Sequence, residues 1–574
     1  MAPSPKSLFR TLSHRHPHTI KPRDIKPRNP KQPSMANLSH DIIILVVYHL
    51  YNLDPQSVNN LALVCSSLYN KARYVQHQQL SIGLGNQTAE RIDSIIRNDL
   101  LPAIRSLHVT APIEHSYERD GRKLELAAWK QLTDFVPTIT GLRDLHWTGA
   151  AIPDSVLEHL DKHSRIRLHL SLGVNDMPDA QHTWVKQLPD RLAGSQNLSS
   201  IRIEVSYWSA EFCRPITQSL KQLVVSSPNL RKLSLDIGYS RAGGVMWEPD
   251  AEYCGFGLSN GESLPLLEEL EIIAYPWGEQ PTVPGRGINC RGYPGPTGTE
   301  MEHWAQNSDW SKLRRLHLEG FSIAFAELLA PQLTALEEVE FKLPIPPTDI
   351  VNFFAHVPSI LTTIDLPSIH GIISTITAHA SKLHTLSIHR DPLTAQELSL
   401  LSHSLPYLED LTFVCSRDTE LNAWPHDVFS VLTTFSQLRR LEIWFDIGPP
   451  SAPHEPYLTV SSAREIFADL LQHSPKLRRL HIHSGFPPEP FEGYPADEAF
   501  WPGDNMASFI CEAAGDGNFS VTCPNLSKTE NERLWDVAQR RGSWGKEEEL
   551  EFLVALRGPM KVEAWLSGRN NLLW

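Results

Sequence analysis

The sequence predicts an α/β repeat solenoid, with parallel strands inside and helices outside, preceded by a short helical hairpin. Three observations predict it. A six-letter word, L-x-x-L-x-L in its parent form, returns twelve times between residues 104 and 482. Helical stretches separate the copies. Two apolar stripes at helical spacing, within residues 38–74, stand before the first copy.

The bulk properties fit this class and exclude others. The chain has 574 residues, 41% hydrophobic and 21% charged, as globular proteins do. No run of about 18 uncharged apolar residues occurs, so no membrane partner is expected. Net charge is −14 and uneven: residues 1–34 hold eight Lys or Arg against Asp24, about +7, which leaves about −21 for the rest. An acidic body lacks the basic face that phosphate binding needs, so no nucleic-acid partner is expected. Seven scattered cysteines with no C-x-x-C pair point to reduced thiols and a cytoplasmic or nuclear location. No cofactor is implied.

Residues 1–34 carry seven prolines and little apolar material, so a disordered basic tail is expected. It reads either as a presequence, whose amphipathic helix its prolines would spoil, or as a stretch upstream of a true start at Met35. His14, His16 and His18 alternate there, but a flexible tail is a poor holder of metal.

Residues 35–80 are the helical domain. Leu38, Ile42, Leu45 or Val46, and His49 or Leu50 recur at helical spacing. Ser39 is placed to accept an orphan amide as N-cap, with Asp41 in the first turn. Asp54-Pro55 breaks the chain, and Val58, Leu61, Val64 or Cys65, and Leu68 form a second stripe. The stretch resembles an F-box: Leu38, Asp41, Ile42, Ile43, Val46 and Leu50, then Leu61, Val64, Cys65, Leu68 and Tyr69 stand at its pattern positions. It departs from that pattern at Ser39, where the family prefers Pro, and at Ser66, where a basic residue is common. The resemblance implies docking on a Skp1-like adaptor of cullin-RING ubiquitin ligases through Leu38, Ser39, Ile42, Ile43, Val46, Leu50, Leu61, Val64, Cys65, Leu68 and Tyr69. A hairpin that only caps the next domain is the plainer alternative.

Residues 81–490 are the solenoid. The words begin at Ile104, Leu142, Leu198, Leu230, Leu267, Leu313, Leu336, Leu361, Leu383, Leu408, Leu438 and Leu477, with a degenerate copy near Ile166. Positions 4 and 6 fall on one face of a strand and position 5 on the other. Helices are expected at 209–226, 348–356, 394–404, 426–435 and 462–473. A proline often follows, as in SSPNL and HSPKL, and sets an extended entry to the strand. One such unit cannot bury its apolar edge alone, but stacked units can. The array resembles leucine-rich repeats. It lacks their usual Asn at position 9, so an irregular array is expected, with those backbone hydrogen bonds met otherwise.

The letters at positions 3, 5 and 7 supply the candidate target-binding residues: Arg315 and His317, then Arg440, Trp444, Arg479, His481 and His483. Arg and Trp are frequent binding anchors; solvated strand faces with local ion pairs are the bland alternative. His481 and His483 show no third ligand in the sequence, so no metal is assigned. Two insertions interrupt the array near 239–263 and 276–310. The second is rich in Gly and Pro and contains Trp277, Arg291, Tyr293, Trp304 and Trp310, which suits either a recognition loop or a surface excursion. Gly257–Gly261 spells G-x-S-x-G, but no strand and helix frame Ser259, so no catalytic residue is assigned and the chain is read as a non-enzyme. Residues 491–574 are expected to be a linker and a helical cap with helices at 528–539 and 546–556. The combined expectation is a target-recognition adaptor of a ubiquitin ligase that holds an unknown target protein. A repeat scaffold without that link is the alternative.

Overall fold

The computed structural model describes residues 39–53, 55–85, 87–110, 128–149, 152–174, 183–207, 209–239, 251–259, 261–278, 290–291, 293, 295, 299–319, 323–342, 346–416, 423–445, 458, 460–484, 508–514 and 518–523. The tail 1–34 with its three histidines, Leu38 and the helices expected at 528–539 and 546–556 lie outside the described residues. The chain divides into two units, one ending at Gln78 and one beginning at Gln79.

The first unit holds three helices rather than the expected two: α1 (His40–Leu53), α2 (Pro55–Ala62) and α3 (Ser66–Gln76). The second stripe breaks because Leu63 and Val64 close a tight turn onto the carbonyls of Asn60 and Leu61. Cys65 then adopts an extended backbone (φ −162°, ψ 162°), and Ser66 restarts the helix. Ser39 does sit at the start of α1, its Oγ 3.4 Å from the Ile42 amide. Ile43, Val47, Val58, Ala72 and Val75 make a small core of their own.

The second unit is built on one sheet. Among the described residues, sixteen strands hydrogen-bond in chain order, interrupted by nothing but a two-stranded ribbon outside the sheet. Only the last two strands, Ser508–Ala513 and Phe519–Thr522, run antiparallel. Every word becomes a strand. Most strands start at the third letter, as at Ser106, Arg315 and Arg479; LSSIRI starts at its first, Leu198. In LRRLHL, Leu313, Leu316 and Leu318 are all buried. They belong to one core that runs from Ile82 to Cys523 and takes in helix residues such as Leu220, Phe353, Leu401 and Phe467. The helices therefore cover the face bearing letters 4 and 6, and the odd letters line the opposite, open face. Each buried Leu or Ile contributes about 1.5–3 kcal/mol, and a lone unit would expose three of them. The unit is an irregular α/β leucine-rich-repeat-like solenoid.

A backbone relay links the repeats where the chain enters each strand. The carbonyl at letter 2 accepts the amides of letters 2 and 3 of the next repeat. Arg231 O takes Glu268 and Glu269, Glu268 O takes Arg314 and Arg315, and the relay continues through Glu337, Thr362, His384, Glu409 and Arg439 to Arg479. Paired amides at each step leave no orphan donor where the chain enters the strand, whatever the side chain. Asn197 bridges the irregular part: its Nδ2 donates to the carbonyls of His163 and Ile166 at 3.0 and 2.7 Å. There the degenerate copy, strand Arg167–Val174, changes register. Leu168 pairs with Leu198, yet Leu170 pairs with Ile201 across a bulge.

Both edges of the sheet carry strands that no word predicts. The sheet starts earlier, at strand Gln79–Gly83, whose Gln79 pairs with Ser106. Among the described residues, the last strands of the sheet are the antiparallel pair within 508–522. The cap helices expected at 528–539 and 546–556 lie outside the described residues. Among the described residues, no helix is long and apolar enough to cross a membrane.

Candidate functional site

The first unit presents apolar side chains to solvent. Among the described residues, seven of the thirteen exposed large hydrophobics lie between Ile42 and Tyr69. Ile42, Leu45, Val46 and Tyr48 come from α1, Leu63 and Val64 from the turn, and Tyr69 from α3. Consecutive apolar residues in α1 leave more than one stripe, and the five-residue core absorbs only Ile43 and Val47. Of the residues named for docking, Ile42, Val46, Val64, Cys65 and Tyr69 are exposed, as is Ser39. Leu50, Leu61 and Leu68 are half-buried against the core, and Ile43 is inside it. Leu45, Tyr48 and Leu63 are exposed additions.

The open face of the sheet carries a polar groove of about 290 Å³ in its middle repeats. Alternating charges at letter 3 pair across strands: Lys232–Glu269 at 2.7 Å, Glu269–Arg315 at 3.4 Å and Arg315–Glu338 at 2.9 Å. At letter 5, His317 Nδ1 lies 3.1 Å from Glu271 and 3.6 Å from Glu340, and its Nε2 lies 3.6 Å from Glu319. Burial disfavours an imidazolium there, but these carboxylates outweigh it and raise His317 to about 9. The His317 bond holds Glu271 down to about 2, against its own burial and with help from Ser234. Lys342 pairs with Glu340 at 2.5 Å. With Asp365 included, six carboxylates face Lys232, Arg315, Lys342 and protonated His317, so the groove is net acidic.

The Glu271–His317 pair sets a pH window. Glu271 contributes fully above its ordinary 4.5 and fades as pH falls toward about 2. His317 contributes fully below its ordinary 6.5 and fades as pH rises through about 9. His317→Ala is expected to cost about 2–3 kcal/mol at pH 5.5, because three carboxylates lose their shared cation. Denaturation at pH 10 should show a smaller cost; an equal one would remove the charge argument.

The basic-aromatic cluster at the C-terminal repeats is placed differently from expectation. Arg440 forms a two-pronged pair with Asp410, and Arg479 lies 3.8 Å from Glu512 on the first antiparallel strand. Trp444 and His483 are not surface anchors. Both are buried, and their rings stack at 3.8 Å and 7°. Glu442 joins them, accepting from Trp444 Nε1 at 3.0 Å and lying 3.2 Å from His483 Nε2. His481 is half-buried, with Nε2 2.7 Å from Ser508 Oγ. Burial, then the neighbouring His483, push His481 down to about 4 despite Glu442.

Three further features escaped sequence reasoning. His108, His146 and His169 stack across three adjacent strands at 4.0 and 4.3 Å, braced by Asp144, which also takes Arg167. The middle ring, His146, is pushed down to about 4 by burial and then by its two histidine neighbours. Trp277, Trp304 and Trp310 of the second insertion are buried rather than displayed, so they are core and not a recognition surface; the Arg291 side chain lies outside the described residues. Helix Glu300–Asn307, with a Thr299 capping box, organises them. Glu300 is fully buried and accepts from Tyr253, Gly257, Tyr275 and Trp304. Ser259 lies in a turn where its amide donates to Glu262, with no strand-to-helix elbow.

An open strand face backed by helices offers a broad wall of side chains. No protein-family model matches the chain, and no curated protein does. Among solved structures, it is similar to a chain in the crystal structure of a TLR13–ssRNA13 complex, at 14% identity and a TM-score of 0.31, covering 70% of this chain and 47% of that one. This chain thus spans about half the length of that neighbour.

Proposed function

We propose that this chain is the target-recognition adaptor of a Skp1–cullin–F-box type ubiquitin ligase. The observation that carries the reading is the crowding of exposed apolar side chains, Ile42 to Tyr69, on the small three-helix unit. Such a patch marks an interaction surface, because solvent-facing Leu, Val and Tyr side chains gain by burial against a partner. The F-box-like order of those residues favours a Skp1-like adaptor as that partner. The repeat array holds the target protein, with the acidic groove around His317 suited to a basic segment. The mechanism is proximity: ligase and target are tied to one chain, so transfer becomes effectively intramolecular.

The full chain should co-elute with a Skp1 homologue at micromolar concentration. Ile42→Asp with Val64→Asp should weaken that complex by about 100-fold or more, since both side chains are exposed and stand at F-box-like positions. Circular dichroism and melting should stay unchanged, because neither residue is in the five-residue core. If the wild-type chain fails to retain the adaptor, the repeat scaffold with no ligase link replaces this reading.

A further inference from the structure

We propose that Glu442, His481 and His483 form a binding site for a divalent transition metal of the zinc type. The three lie on the odd-letter side of the last two parallel strands, with Glu442 and His481 half-buried and His483 buried. His481 and His483 stand two apart on strand Arg479–Ser484, so both rings project to one side. Glu442 is directly opposite His481 on the adjacent strand Arg440–Phe445. One potential ligand atom from each falls within 4.8 Å of the others. The Glu442 carboxylate faces both rings: Oε1 is 3.2 Å from His483 Nε2, and Oε2 is 3.9 Å from His481 Nδ1. Two ligands bound about 2.0–2.1 Å from a tetrahedral ion stand about 3.4 Å apart, so an ion fits with small side-chain shifts.

The surroundings are those of a supported site. Ser508 Oγ engages His481 Nε2, which turns Nδ1 toward Glu442. Trp444 Nε1 donates to Glu442 Oε1, and its ring packs flat on His483, which is only 4% exposed. Such outer contacts orient ligands and exclude competing rotamers. The nearby cations do not repel an ion strongly, since Arg440 is paired with Asp410 and Arg479 lies near Glu512. Two imidazoles and one carboxylate suit Zn²⁺, Co²⁺ or Ni²⁺ better than Mg²⁺ or Ca²⁺. Three protein ligands would leave the fourth tetrahedral position to water.

The test uses the full chain with His14, His16 and His18 replaced by Ala, so that the tail does not compete. Titration with Co²⁺ should give one equivalent with the intense visible absorption of a four- or five-coordinate ion, displaced by Zn²⁺. Glu442→Gln should weaken Co²⁺ binding by about tenfold or more, and Ser508→Ala by a similar factor. His481→Ala with His483→Ala should abolish the spectrum while circular dichroism shows the array intact. Octahedral-type weak absorption, or a spectrum that survives the double histidine variant, overturns the proposal and leaves the trio as a polar brace between the last two parallel strands.

Discussion

Glu300→Ala is expected to destabilise the array by about 3–5 kcal/mol, measured by guanidinium denaturation and by hydrogen exchange in 251–278 and 300–308. The carboxylate is fully buried and takes four donors: Tyr253 Oη at 2.6 Å, the Gly257 amide at 2.9 Å, Tyr275 Oη at 2.9 Å and Trp304 Nε1 at 3.2 Å. These donors come from the first insertion, the end of strand Glu269–Ala274 and the second insertion's helix. One side chain therefore ties two excursions to the sheet. Its removal orphans buried donors, each at about 1–3 kcal/mol, beneath an aromatic cluster of Phe256, Tyr275, Trp277, Trp304 and Phe325. Backbone approach is close there too: a Cβ on Gly255 would meet Tyr253 Oη at 2.6 Å and Glu300 Oε2 at 2.9 Å.

The same residue predicts a pH slope. Burial raises Glu300 from its ordinary 4.5 to about 7, although all four donors oppose the shift. Between those values the folded chain keeps a proton that the unfolded chain has lost. Stability from this group is therefore greatest below pH 4.5 and declines as pH rises to about 7, by on the order of 3 kcal/mol. Glu300→Gln keeps an acceptor at Oε1 and can donate to Tyr253, so it should cost about 1 kcal/mol or less near pH 5 and remove the slope. An alanine variant within about 1 kcal/mol of wild type, or a glutamine variant with the slope intact, would contradict this account.

The array was legible because its signal is local and repeated: letters 1, 4 and 6 of each word are buried, and stacking follows from that. The first strand was missed because His77 occupies letter 1, although Leu80 and Ile82 hold letters 4 and 6. The closing strands were missed because Ser508–Ala513 pairs antiparallel and carries no word. Charge at the open face needed columns rather than rows. Letter 5 is His in three consecutive strands at His108, His146 and His169, and Glu442 precedes His481 in the same column. Reading down letter 5 would have found both the ring stack and the third candidate ligand. Glu300 had no such signal, since its four partners are set by how two irregular insertions fold onto the sheet. The third helix of the first unit was hidden for a similar reason. An apolar stripe continues through Leu63–Cys65, and only the turn back onto Asn60 and Leu61 breaks it.

A chain ending at residue 485 is expected to lose most of its soluble monomer, and what remains should melt well below the full-length protein. Strand Arg479–Ser484 would become a bare edge, with the backbone groups that now pair with 508–512 left open. Such an edge is a template for pairing with another chain. The cut also removes Phe509, Cys511, Val521 and Cys523 from the core and uncovers Phe467, whose ring Phe519 meets edge-on at 5.3 Å. A repeat array needs its terminal apolar face covered, and here the covering element among the described residues is a β-hairpin. A chain ending at residue 523 retains that hairpin and lacks the expected helices at 528–539 and 546–556. It should therefore behave like the full-length protein in size-exclusion chromatography and thermal melting. If the 523 chain fails as badly as the 485 chain, the cover lies farther along and the hairpin is not the cap. If both stay monomeric and stable, the sheet ends without need of one.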